Sequence, residues 1–174
     1  MMKIRILFLF SFLMSAVKGY AIPPFEHDLG FGPELIYNLP LSGIGVGARA
    51  HYNLDYHWIV SPQVNFFPGI SGVRELNLNL HASYVVNPWD RWGVYLTGGP
   101  YINYWMNHES SAKKDAKAFN VFAEVGVGAL KNSGCFRPFL EWRYNAKWSE
   151  SNVRLGFIYY PKICRENRKC TTYQ

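Results

Sequence analysis

The chain has 174 residues, enough for one domain with a sizeable core and too few for two ordinary ones. Aromatic residues make up 17% of it, yet the mean hydropathy is only −0.11, which excludes a helical membrane protein. The formal net charge is +6, but the sequence lacks the concentrated basic patch expected of a nucleic-acid-binding protein.

The N-terminus has the layout of a secretory signal peptide. Lys3 and Arg5 precede an apolar run, residues 6–17, that is shorter than the roughly 20 residues a membrane-spanning helix needs. Gly19 and Ala21 place small residues at a cleavage site after Ala21. We therefore predict a signal peptide over residues 1–21, and without it 15 basic side chains face 12 acidic ones.

An alternation of apolar and polar residues dominates the rest of the chain. It is clearest in residues 43–57, where one face carries only apolar side chains or tyrosine: Ile44, Val46, Ala48, Ala50, Tyr52, Leu54 and Tyr56. The other face carries glycine, polar and charged residues: Gly45, Gly47, Arg49, His51, Asn53, Asp55 and His57. Successive side chains of a strand point to opposite faces, so this segment is amphipathic as a strand.

The same alternation predicts seven further strands, over residues 28–38, 58–67, 74–87, 92–107, 117–130, 136–147 and 152–161. Soluble sheet strands average about 5–6 residues, whereas a tilted strand needs about 9–11 to cross a bilayer. The predicted fold class is therefore all-β, an eight-stranded antiparallel up-and-down transmembrane β-barrel. It occupies residues 22–161, and residues 162–174 form a periplasmic C-terminal tail.

The composition of the two faces decides which one meets lipid. A lipocalin-like soluble barrel would bury the apolar face, but here the polar face holds small residues and isolated charges that suit a narrow lumen. Aromatic residues cluster at the periplasmic strand ends, namely Tyr56, Trp58, Trp89, Trp92, Phe136 and Tyr159. A second group lies at the outer ends, namely Tyr37, Phe66, Tyr104, Phe119, Tyr144 and Trp148. Two such girdles are typical of membrane barrels.

The signal peptide, the eight amphipathic strands and the short periplasmic turns resemble the OmpA/OmpX-type small outer-membrane β-barrels over about residues 27–161. Arg154 and Gly156 followed by Tyr159 resemble that family's C-terminal assembly signal, while Pro161 and the tail depart from it. The resemblance implies an integral protein of a Gram-negative outer membrane. Its partners would be membrane lipid, lipopolysaccharide and the barrel-assembly machinery, with no nucleic acid.

Charged residues of the polar face predict ion pairs inside the barrel. Closure would place Glu34 beside Arg154, and Glu124 beside Arg137 or Arg143. Glu141 shares the face of these arginines. We expect the pairs to plug the lumen, because unpaired buried charge is costly; the alternative is a gated pore.

Cysteine and histidine residues supply the remaining candidates. Cys164 could pair with Cys170, or either could tie the tail to the turn that holds Cys135, in an oxidising compartment. His51, Asp55 and His57 share one face but lack a compelling metal-ligand pattern.

The leading expectation for function is a non-enzymatic protein with a structural or surface-interaction role, without cofactor or metal. One alternative is a small porin-like pore or transporter. The other is a lipid A-modifying enzyme using His81 and Ser83, although both residues are predicted to point into the lumen.

Overall fold

The computed structural model describes residues 27–70, 73–106, 118–132 and 134–170. The predicted signal peptide and the longest predicted loop, residues 107–116, lie outside the described residues. The strands are β1 (Leu29–Asn38), β2 (Gly43–Asn53), β3 (Trp58–Ile70), β4 (Val73–Val85), β5 (Trp92–Trp105), β6 (Phe119–Lys131), β7 (Phe136–Asn145) and β8 (Glu150–Tyr159). One helix, α1 (Pro161–Cys170), follows them.

The eight strands form a closed antiparallel barrel in sequence order, which confirms the predicted fold. Closure occurs between β1 and β8, where Leu35 lies opposite Leu155. A closed sheet has no free edge, so its backbone groups are paired within the molecule. Within the described part of the chain, no helix has both the length and the apolar character needed to cross a membrane.

Burial alternates along the strands as the sequence pattern predicts, with outward apolar side chains exposed around the whole barrel. The pattern fails at the end of β2, which stops at Asn53. Asp55 and His57, predicted to face the lumen, lie instead in the β2–β3 turn. The Asp55 carboxylate accepts the backbone N–H groups of His57 and Trp58, each at 2.7 Å. The N–H of Trp58 and then that of His57 lower the pKa of Asp55.

Inward glycines make room for bulky side chains from the neighbouring strand. A Cβ atom on Gly128 would lie 2.4 Å from Cζ of Tyr95, its cross-strand partner. A Cβ atom on Gly126 would lie 2.8 Å from Cγ of Arg143. The glycines of the polar face are thus the space into which the lumen's large side chains fit.

The sequence pattern predicted a polar lumen, but part of the lumen is apolar. At the tail end, defined as the end where β1 begins and β8 stops, apolar inward side chains form a cluster: Ile59, Val85, Tyr95, Leu130, Phe139, Ile158, Tyr160 and Ile163. We call this set the tail-end cluster. A smaller one, Ile36 and Phe67 with Leu41, lies towards the opposite loop end.

One predicted girdle residue has a different role. Trp148 lies in the β7–β8 turn, and its ring stacks on that of Trp105 with centroids 5.9 Å apart. Trp105 is buried, so Trp148 covers a lumenal side chain at the loop end.

Candidate functional site

Six charged side chains meet near the middle of the lumen, and none is more than 4% exposed. They come from β1, β2, β6, β7 and β8: Glu34, Arg49, Glu124, Glu141, Arg143 and Arg154. Each approaches two neighbours of opposite sign, so acids and bases alternate around a closed circuit. We call this set the charged ring.

Arg49 closes the ring between Glu34 and Glu141. Its guanidinium contacts Glu34 of the adjacent strand β1, and its Nη1 lies 3.1 Å from Oε2 of Glu141 on β7. The same guanidinium stacks over the Phe139 ring, 4.1 Å from its centroid. Tyr95 donates its hydroxyl to Oε2 of Glu141 at 2.7 Å.

Two further arginines complete the circuit. Arg154 places Nη1 3.3 Å from Oε1 of Glu34 and Nη2 3.5 Å from Oε2 of Glu124. Arg143 places Nη1 3.5 Å from the same Glu124 oxygen and also contacts Glu141. Three acids and three bases therefore balance one another where water is excluded.

The charged residues that the sequence placed in ion pairs divide between the ring and the tail end. Glu34 meets Arg154, and Glu124 meets Arg143 rather than Arg137. Arg137 lies towards the tail end, where its Nε donates to the Gly134 carbonyl at 3.0 Å. Its guanidinium lies over the Tyr160 ring, 5.0 Å from the centroid.

Sequence reasoning placed Arg49 on the lumenal face but missed it as a member of the ring. Alternation along a strand indicates the face to which a side chain points. Whether that side chain belongs to the charged ring depends on its height along the barrel axis. Height is set by the register, in which Arg49 lies opposite Gly32 and next to the Glu34–Gly47 pair. The position of Arg49 at the middle of β2, level with Glu34 at the middle of β1, was the available signal.

The two residues of the enzyme alternative, His81 and Ser83, also lie in the lumen. His81 is fully buried, with Nε2 4.0 Å from Oε2 of Glu124. Ser83 is buried and donates its hydroxyl to Oγ1 of Thr97 at 2.9 Å. Neither side chain lies on the outer surface of the barrel.

The histidines of the metal candidate are separated. His51 is buried, with Nδ1 3.5 Å from the Tyr160 hydroxyl, whereas His57 lies in a turn against the Val85 carbonyl. Over the ranges that the structure describes, no group of three His, Cys, Asp or Glu residues could hold a metal ion.

A disulfide joins Cys135 to Cys164, 29 residues later. It connects the β6–β7 turn to helix α1. The alternative pairing of Cys164 with Cys170 is therefore wrong, and the side chain of Cys170 lies outside the described residues.

Comparisons with known proteins support the fold. No family model and no curated protein matches the chain. Among solved structures, the N-terminal β-barrel domain of OprF from Pseudomonas aeruginosa is similar with a TM-score of 0.60 and 12% identity, covering 79% of this chain and 99% of that one. A barrel from the de novo design of transmembrane β-barrels gives 0.56 and 18%, covering 80% and 99%. The chain thus has the fold of small transmembrane barrels.

Proposed function

We propose that this chain is an integral outer-membrane protein whose barrel is a closed, non-enzymatic scaffold with a structural or surface-interaction role. The exposed apolar side chains around the barrel support a location in lipid, because a soluble barrel would turn that face inward. The fold shared with the OprF barrel domain agrees with this location. Membrane lipid, lipopolysaccharide and the barrel-assembly machinery are the proposed partners, after export through the cleaved signal peptide.

The charged ring is the observation that carries the proposal of a closed scaffold. A conducting lumen needs a continuous water-filled path, but the side chains of the ring extend into the lumen and join strands that are not neighbours, such as β2 and β7. The tail-end cluster adds an apolar layer on one side of it. Opening such a ring would separate buried charges from their partners, which is strongly unfavourable.

Planar-bilayer recording tests this proposal. The purified, folded protein should give no large, stable conductance. The conductance of an Arg49→Ala variant is recorded for comparison, because this substitution removes the side chain that connects β2 to β7. A large, stable conductance from the unmodified protein would instead favour the pore alternative.

A lipid assay tests the non-enzymatic part. Folded protein incubated with lipid A should release no fatty acid, since His81 and Ser83 face the lumen. Release that disappears in both His81→Ala and Ser83→Ala would contradict the proposal and favour the lipid A-modifying enzyme.

A further inference from the structure

We propose that helix α1 is a redox-latched cover over the tail end of the barrel, held in place by the Cys135–Cys164 disulfide and released when a dithiol reduces it. Helix α1 lies at the end of the barrel away from the loops, so the latch acts whether or not the lumen conducts.

The segment that begins the helix closes the lumen. Tyr160 is fully buried and Ile163 is 5% exposed, and both belong to the tail-end cluster. The Tyr160 ring fits against Gly30, where an added Cβ atom would lie 2.8 Å from Cε1 of the ring. Arg137 covers the same ring from the barrel wall. Tyr160 and Ile163 therefore act as the inner surface of a cover.

Beyond this first turn, the sequence of the helix offers few apolar side chains. Lys162 and Arg165 are exposed, and the remaining residues of the helix, Glu166 to Cys170, are predominantly polar or charged. Lys162 forms an ion pair with Asp28, with Nζ 3.3 Å from Oδ1. An isolated helix of ten residues is marginal in water, so its position depends on its attachment.

The disulfide supplies that attachment at the decisive place. Cys164 directly follows Ile163, and the backbone N–H of Tyr160 donates to the Cys135 carbonyl at 2.9 Å. The hydrogen bond at Tyr160 and the disulfide at Cys164 thus fix the chain at both ends of the covering segment. Both cysteines are only partly buried, which leaves the disulfide within reach of a reductant.

The chemical step is a thiol–disulfide exchange. One thiolate of the dithiol attacks a sulfur of the protein disulfide, the S–S bond breaks, and the departing cysteine sulfur takes up a proton. The second thiol of the reagent then attacks the mixed disulfide and frees the other cysteine. Two electrons pass from the dithiol to Cys135 and Cys164, which become thiols while the reagent becomes a disulfide.

Limited trypsin digestion tests the latch, because Lys162 precedes the buried Ile163. All variants carry Cys170→Ser, so that the third cysteine cannot pair with a freed partner. Folded protein in lipid vesicles is digested, then denatured and fully reduced, and cleavage of the Lys162–Ile163 bond is measured by mass spectrometry. The oxidised Cys170→Ser protein is the matched control.

We expect dithiothreitol treatment of the folded Cys170→Ser protein to increase the cleavage rate at this bond at least tenfold. Cys164→Ser in the same background should give the increase without reductant. Heat-modified gel mobility checks that the barrel stays folded, and if the Cys164→Ser variant does not fold, reduction of the prefolded control provides the decisive measurement. A cleavage rate unchanged by reduction would overturn the proposal, because the apolar contacts alone would then hold the cover.

Discussion

Arg49 of β2 and Glu141 of β7 form an ion pair across the lumen, with Nη1 and Oε2 3.1 Å apart, although β1 and β8 separate their strands. The pair closes the circuit, because the other five contacts form one open chain that runs from Arg49 through Glu34, Arg154, Glu124 and Arg143 to Glu141. Because every member has two partners, the stability of the barrel depends on the set rather than on any single pair.

Neutralising Glu141 should cost more than neutralising a surface acid. Glu141→Gln leaves Arg49 and Arg143 each with one acidic partner and an excess positive charge in the lumen. Breaking a buried pair in this way costs about 3–5 kcal/mol. Urea unfolding in lipid vesicles, followed by tryptophan fluorescence, measures the loss.

Asp90→Asn is the control for this substitution, because Asp90 is exposed in a turn. The polar contacts of an exposed charged side chain contribute about 1 kcal/mol or less to stability. Equal losses for the two substitutions would mean that the ring contributes no more than a surface contact.

Removing both partners of the cross-lumen pair should be less harmful than the single substitutions imply. Arg49→Met and Glu141→Leu each leave the lumen with a net charge, whereas the double variant is neutral again. The sum of the stability losses of the two single variants should therefore exceed the loss of the double variant by about 0.5–3 kcal/mol. Strictly additive losses in the same unfolding assay would argue against direct coupling.

Filling an inward glycine should disturb the ring through Tyr95. The side chain in Gly128→Ala would overlap the Tyr95 ring, whose hydroxyl hydrogen-bonds Glu141. Overpacking of this kind costs about 1–3 kcal/mol. The control is Gly98→Ala on the outer face of β5, where the nearest atoms lie at 3.5 and 3.6 Å, an ordinary contact distance. If Gly98→Ala is as destabilising as Gly128→Ala, the loss comes from backbone effects rather than from Tyr95.

The β2–β3 turn should weaken in acid. The pKa of Asp55 is lowered in the folded protein, so its contribution to stability is present above the unfolded pKa of about 3.9 and is lost as the pH falls through the folded value. NMR titration should find the pKa of Asp55 below its usual value. In Asp55→Asn the acid-dependent change at the amides of His57 and Trp58 should disappear; its persistence would assign the change to another group.

The sequence was sufficient for the barrel because alternation and strand length are local properties. Glu34 and Arg154 could be paired from it since β1 and β8 must meet in any closed eight-stranded barrel. The partners of Arg137 and Arg49 could not be predicted, because they depend on register and on side-chain reach across the lumen.

The tail-end cluster escaped sequence reasoning for a different reason. Inward positions such as Leu130 and Phe139 break the polar pattern of the lumenal face near one end, which alternation alone treats as exceptions. Their role becomes clear only when Tyr160 and Ile163 are seen to pack against them. The packing of Ile163 requires helix α1 after β8, which the period of a strand does not encode.

The alternating order of the charged ring limits how this protein can diverge. A substitution that removes one acid leaves two arginines short of a partner, so tolerated changes must remove or exchange an adjacent acid and base together. Among homologous chains, a change at position 49 should therefore be accompanied by a change at position 141, and changes at only one of the two should be rare. The ring would be inherited as correlated pairs, even where overall sequence similarity has faded.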